Sequence, residues 1–123
     1  PTRVDDLMNA GISIGIGTDN TQDYFIPLNS PDILLASLFL AYEREIPSDN
    51  IPETLLLMAT EKASDIIGSS PTGLHIGSQA DLVLLDAESA QEALIQLPSR
   101  IAVLKRGRCT VRENRLLPFP NTN

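Results

Sequence analysis

Three side chains able to make or break bonds stand in informative surroundings: Asp19, His75 and Cys109. Asp19 closes an alternation in which Ile12, Ile14 and Ile16 take one parity and Ser13, Gly15 and Gly17 the other. A period of two is the signature of a strand, whose successive side chains point to opposite faces. If that strand extends to position 19, the carboxylate shares the face left bare by serine and glycine, which suits a crowded or ligand-occupied space. A carboxylate at such a place serves as a general acid–base group or as one ligand of a cation. The other reading is a turn, because Asx residues such as Asp19 and Asn20 cap turns through their own backbone. His75, the single histidine, sits between Gly73 and Gly77 with no carboxylate or cysteine at ligand spacing, and reads as a turn or surface residue. Cys109, the single cysteine, alternates with apolar neighbours and has no histidine nearby, which favours packing over nucleophilic attack. Such counts exclude a disulfide framework and a zinc deaminase site built on paired cysteines.

The elements that position Asp19 follow from periodicity. Val4, Leu7 and Met8 mark one face of a helix that Gly11 ends, and the strand follows at once. A loop from Thr18 to Asn29 mixes polar and aromatic residues. Ser30-Pro31-Asp32 starts a helix that is apolar around most of its circumference from Ile33 to Tyr42. Asn50 and Glu53 resemble a capping box for a further helix, whose stripe runs through Leu55, Met58, Ala59, Lys62, Ala63 and Ile66 to Gly68. Ser69 to Gly73 is the sharpest break in composition and marks a subdomain boundary. Beyond it, Ala80 to Asp86 reads as a buried strand, Ala90 to Leu97 as a short helix stopped by Pro98, and Arg100 to Arg106 and Arg108 to Arg112 as strands joined at Gly107. Leu117 to Asn123 reads as a surface tail. Gly15-Ile16-Gly17 lacks the third glycine and the helix start of a dinucleotide loop.

Sixteen acidic residues against nine basic give the 123-residue chain a net charge of −7, which disfavours contact with phosphate backbones. No apolar run approaches the roughly 18 residues of a membrane span. The chain opens on Pro1 with no basic-then-apolar leader, so a cytoplasmic location and a start inside a larger protein are expected.

Gly73-Leu74-His75-Ile76-Gly77-Ser78-Gln79-Ala80-Asp81-Leu82-Val83-Leu84-Leu85-Asp86 resembles the closing segment of the metal-dependent amidohydrolases, where the chain returns from the barrel to a small sandwich. Val103 to Arg108 resembles the strand and turn that follow. Gly11 to Asn20 is similar to the eighth barrel strand of that superfamily, and Asp19 to Leu28 is similar to the cytosine deaminase-like branch, which includes N-isopropylammelide isopropylamidohydrolases. The resemblance extends to about Asn114. It implies an α/β fold: the C-terminal part of a (β/α)8 barrel, with its last strand and accessory helices at 1–68, strands of a composite β-sandwich at 69–116, and a tail at 117–123. It further implies that Asp19 binds or adjoins a divalent metal, zinc or iron, and shuttles a proton. Asn20 and Phe25 take positions that contact a heterocyclic substrate, Phe25 standing where a tryptophan is usual. The His-x-His pair and the later histidines of the family have no counterpart, so this chain is expected to hold no metal and to be inactive alone.

The expected function is therefore the C-terminal portion of a metal-dependent hydrolase acting on C–N bonds of a cytosine-like or aminotriazine-like ring, in a homo-oligomer. Two alternatives are a noncatalytic interaction module that self-associates or binds a partner through the Ile12–Ile16 segment, whose edges and apolar face lack neighbours, and a small-ligand domain using the Asp19–Phe25 loop.

Overall fold

The computed structural model describes residues 3–43, 46–69, 73–113 and 115–117. Helix α1 (Val4–Asn9) buries Val4 and stops at Gly11, which takes φ +74°. The Gly11 N–H bonds the Met8 carbonyl, and the Ile12 N–H reaches back to Leu7. Glycine enters this left-handed region without a Cβ penalty, and the returning N–H groups satisfy carbonyls that the helix end leaves over. Helix α2 (Ile33–Glu43) begins just after Pro31, with Asp32 Oδ1 accepting the Leu34 N–H at 3.0 Å. The carboxylate thus meets one of the orphan donors of the first turn and the positive end of the helix dipole.

The stripe from Leu55 to Ile66 forms two helices where one was expected: α3 (Ile51–Ala59) and α4 (Glu61–Ile66). They part at Thr60, whose φ of −124° and ψ of −94° are not helical. The Thr60 hydroxyl donates to the Leu56 carbonyl at 2.7 Å and its N–H bonds Leu57, so local bonds compete with the continuing helix. The expected capping box at Asn50 does not form, and the Asn50 side chain makes no cap bond. Ser48 takes over, accepting the Asn50 N–H and sharing a 2.7 Å hydrogen bond with Thr54.

Strands β1 (Leu82–Leu85), β2 (Arg100–Lys105), β3 (Arg108–Arg112) and β4 (Arg115–Leu116) make one antiparallel sheet in sequence order. Arg106 and Gly107 both have positive φ, as a two-residue hairpin turn of the primed type requires. β4 lies where no strand was expected, and the Leu117 N–H bonds the Thr110 carbonyl at 2.8 Å, so the expected tail begins attached to the sheet. Its remainder, 118–123, lies outside the described residues, as do 70–72 of the expected boundary. The described residues contain a single sheet, and the second layer of a sandwich is not among them.

Helix α5 (Ala90–Gln96) joins β1 to β2, capped by the Ser89 hydroxyl accepting from the Glu92 N–H at 3.1 Å. It ends on Leu97 in the left-handed region, directly before Pro98. Its buried Ala93 and Leu94 pack against α2 and α3. Leu94 thereby joins Val4, Leu34, Ile46, Leu55 and Met58 in one core, with Leu55 and Met58 almost wholly shielded from solvent.

One polar link ties the sheet to the start of α2, and another braces the sheet's own hairpin. Arg100 at the start of β2 meets Asp32 at 2.6 Å, with both side chains mostly buried. Burial opposes the Asp32 charge, but the Arg100 guanidinium and the N–H groups of Leu34 and Leu35 outweigh it and lower the pKa. Asp81, before β1, accepts from Lys105 Nζ, the Arg106 N–H and Gln79. These bonds, the Lys105 contact foremost, hold its pKa at about 2.

A depressed carboxylate pKa means that Asp81 stabilises the hairpin fully above the ordinary value of about 3.9 and loses that effect as pH falls through about 2. Amide exchange should therefore be faster at Arg106 in Asp81→Asn than in the wild type near neutral pH. The wild-type hairpin should loosen between about pH 4 and 2, and the variant should lack that step. Equal exchange in the two proteins would contradict the link.

Candidate functional site

The segment carrying Asp19 leaves α1 at Gly11 and crosses the helices without pairing as a strand: residues 12–19 have no ladder partner among the described residues. A strand is a shared structure, and this segment has no neighbour to share it with. Its bonds run to a helix end. The Ile16 N–H donates to the Met58 carbonyl at 3.0 Å, one of the acceptors that the last turn of α3 leaves unpaired. Ile14 and Ile16 pack on the core from the same side, while Ile12 is half exposed.

The bare parity has two environments. At Gly15 a Cβ would lie 3.0 Å from Ala63 Cα, 3.2 Å from Ala63 Cβ and 3.3 Å from Ile66 Cδ1, so α4 closes on the backbone itself. At Gly17 a Cβ would meet nothing within 4 Å. Asp19 has φ +55°, and at that residue strand parity stops describing the chain. The carboxylate residue nevertheless lines a groove of about 780 Å³ together with Ile14, Gly15, Gly17, Asn29 and Phe39. Asp19 is exposed at this groove. A second depression, about 250 Å³, is lined by α5 and its cap alone, with Glu92 as its single charged residue.

Asn29 was not singled out from sequence, yet it sets the shape of this corner. Its side-chain amide donates to the Thr18 carbonyl at 2.9 Å and to the Asn20 carbonyl at 2.8 Å, the two carbonyls on either side of Asp19. Further along, Asp23 Oδ1 accepts the N–H groups of Phe25 and Ile26, each at 2.9 Å, in an Asx turn. Neither Asn20 nor Phe25 lines the groove. Asn20 is half-buried and contributes its carbonyl to Asn29. Phe25 is 79% exposed and meets Tyr24 edge to face at a centroid distance of 5.7 Å. The structure thus brings Asp19 to the groove and leaves the other two expected substrate contacts on the adjoining loop. His75 is exposed in a turn closed by Ser78 N–H to its carbonyl, and the half-buried Cys109 thiol donates to the Val111 carbonyl at 3.2 Å.

Among the described residues no three His, Cys, Asp or Glu side chains are grouped to hold a cation. A single exposed carboxylate retains a catalytic metal poorly, because affinity comes from several ligands in fixed geometry. These residues by themselves do not fit a metal centre.

No family model matches the chain. Over 108 residues, 87% of its length, it is 30% identical to the N-isopropylammelide isopropyl amidohydrolase of Pseudomonas sp. (strain ADP) and 29% identical to a pterin deaminase of Rhizobium rhizogenes. The crystal structure of N-isopropylammelide isopropylaminohydrolase from Burkholderia multivorans superposes with a TM-score of 0.82 at 31% identity, covering 89% of this chain and 28% of that one. The chain corresponds to the C-terminal part of an amidohydrolase-type protein. It spans about a quarter of the curated relatives, 27% and 24% of their lengths. The 5-methylcytosine deaminase of Klebsiella pneumoniae, liganded with phosphonocytosine, shares the amidohydrolase-type fold, with a TM-score of 0.80 over 97% of this chain and 29% of that one at 24% identity. No described helix of this amidohydrolase-type chain is long and apolar enough to cross a membrane.

The two glycines of the groove wall should respond differently to a methyl group. Gly15→Ala forces a Cβ against the α4 backbone and should cost about 1–3 kcal/mol by urea denaturation. Gly17→Ala meets open space and should be neutral or stabilising by up to about 1 kcal/mol. Equal effects would mean that α4 does not close on the segment.

Proposed function

We propose that this stretch supplies the acid–base carboxylate and part of the substrate cleft of a hydrolase that cleaves C–N bonds on a nitrogen heterocycle, cytosine-like or aminotriazine-like. The observation carrying this reading is the exposed Asp19 at a groove whose wall is kept low by Gly15 and Gly17. The names of the relatives, all amidohydrolases or deaminases, support the reaction class.

In this reading water adds to the ring carbon and the Asp19 carboxylate accepts its proton. The C–O bond forms as the π pair of the ring C=N bond moves onto the ring nitrogen, leaving the carbon tetrahedral; return of that pair then expels the amine. As the C–N bond breaks, the Asp19 carboxyl returns the proton to the departing nitrogen, so that the amine leaves neutral and the aspartate is restored. Asn20, able both to donate and to accept, and Phe25, an apolar ring, stand on the loop beside the groove rather than in its lining, and this reading has them meet the edge and face of the heterocycle from there. A divalent metal, zinc or iron, would be held mainly by ligands outside these residues, with Asp19 the one residue here that would help to hold it, and it would make the attacking water more acidic. Residues 1–68 are then the last β/α unit and accessory helices of a (β/α)8 barrel. The 12–16 segment becomes its final strand when neighbouring strands offer it partners, and 69–116 give their strands to a composite sandwich. The chain alone is inactive.

A noncatalytic, self-associating role has its own supporting observation: Tyr24, Leu28 and Ile76 are each at least 95% exposed, an unusual display of large apolar side chains. Light scattering of the 123-residue chain should show concentration-dependent association, and a monodisperse monomer would remove that support.

Asp19→Asn in the protein that carries this sequence should lower kcat for heterocycle deamination by about 10²–10⁴-fold. The isolated chain should release no ammonia or amine from cytosine or an aminotriazine. Full activity of the variant would overturn the assignment of Asp19, and turnover by the isolated chain would overturn its dependence on groups elsewhere.

A further inference from the structure

We infer that Asn29 is the positioning residue for Asp19, bridging with one primary amide the carbonyl of the residue before it and the carbonyl of the residue after it. The inference rests on the acid–base reading of Asp19 and adds to it the group that fixes its backbone. The geometry is specific. A primary amide carries two N–H groups, and those of Asn29 reach the Thr18 carbonyl at 2.9 Å and the Asn20 carbonyl at 2.8 Å. Asp19, between those carbonyls, has φ +55°, a conformation that L-residues adopt sparsely and keep where the surroundings enforce it. Both bonds are half-buried, so water competes with them less than at an open loop. The Asp23 turn, which bonds Phe25 and Ile26, does not touch the Asp19 peptides.

Asn29 leads into an anchored helix start. It lies three residues before Asp32, which caps α2 and meets Arg100 of β2 at 2.6 Å. A continuous path therefore runs from the sheet through the start of α2 to the amide and on to Asp19. Hydroxyl, carboxylate and methyl side chains all fail as replacements for the same reason: none presents two donors. Asn29→Asp is the sharpest case, since it keeps the size of the side chain and turns an anion toward two carbonyl oxygens.

The test uses the protein that carries this sequence, with its aspartates labelled with ¹³C and ¹⁵N. In Asn29→Ala and Asn29→Asp the Asp19 HN–Hα coupling and Cα shift should leave their left-handed values, while the methyl signal of buried Met58 stays in place to report an intact core. With cytosine or an aminotriazine as substrate, both variants should lose about tenfold or more in kcat while KM changes less than about twofold, in keeping with misplacement of a reacting group rather than lost binding. In an Asp19→Asn background Asn29→Ala should have no further effect, because a group that acts through Asp19 has nothing left to position. An Asp19 signal unchanged in both variants would overturn the brace. An equal loss in the Asp19→Asn background would also overturn it, assigning Asn29 a role of its own. If the Asp19 signal moves as expected but Asp19→Asn itself is fully active, the brace stands and the acid–base reading fails.

Discussion

The 3.0 Å bond from the Ile16 N–H to the Met58 carbonyl decides where Asp19 can be. It joins the end of α3 to a segment that has no strand partner, and it works because both groups would otherwise be orphans: one at a helix terminus, one on an unpaired extended chain. Met58 also sends its side chain into the core, so the acceptor belongs to a residue fully shielded from solvent. Gly15 admits the segment to this place, since a Cβ there would crowd Ala63 at 3.0–3.2 Å. Backbone bond, buried methionine and absent Cβ together lay a wall of the groove against α3 and α4, and the carboxylate follows from the end of that wall.

Stability and orientation have different sources. Truncating a core residue such as Leu55 or Met58 to alanine costs on the order of 2–5 kcal/mol, whereas a hydrogen bond to a charged partner is worth about 1.5–3 kcal/mol. Packing of α2, α3 and α5 thus holds the helices together. The Asp32–Arg100 pair adds less energy and more direction, because it joins residues 68 positions apart, one just before α2 and one at the start of β2. Asn29 continues that directional role locally. The arrangement suits a site in which a small displacement of one carboxylate matters more than a modest change in global stability.

The sequence was most legible where one residue type has one physical reason to be present. Gly11 after α1, Pro98 after α5 and Gly107 in the hairpin each mark a backbone event that few other residues allow, and the elements end there. It was less legible where two local preferences compete. The stripe from Leu55 to Ile66 has a continuous helical period, and the Thr60 hydroxyl breaks it through a bond to Leu56 that hydrophobic spacing does not encode. The Ile12–Ile16 alternation gives the inside–outside pattern at Ile14 and Ile16, which reach the core, and not at half-exposed Ile12, and pairing depends on neighbours of which parity says nothing. For the candidate site, parity and resemblance both single out Asp19, although its left-handed backbone ends that parity at the residue itself. Asn29 was invisible because its partners lie 11 and 9 residues upstream, a separation set by the loop's path.

The account depends on the Asp19 carboxyl carrying a proton at the groove, and chemical rescue reads that directly. In Asp19→Gly the side chain is gone and the groove, already open at Gly17, gains room for a small acid. Added formate should restore turnover of the heterocycle in proportion to its concentration, and the pH dependence of rescue should follow the ionisation of formate. A variant that binds substrate, stays folded and gains nothing from formate would show that the aspartate serves the protein in some other way.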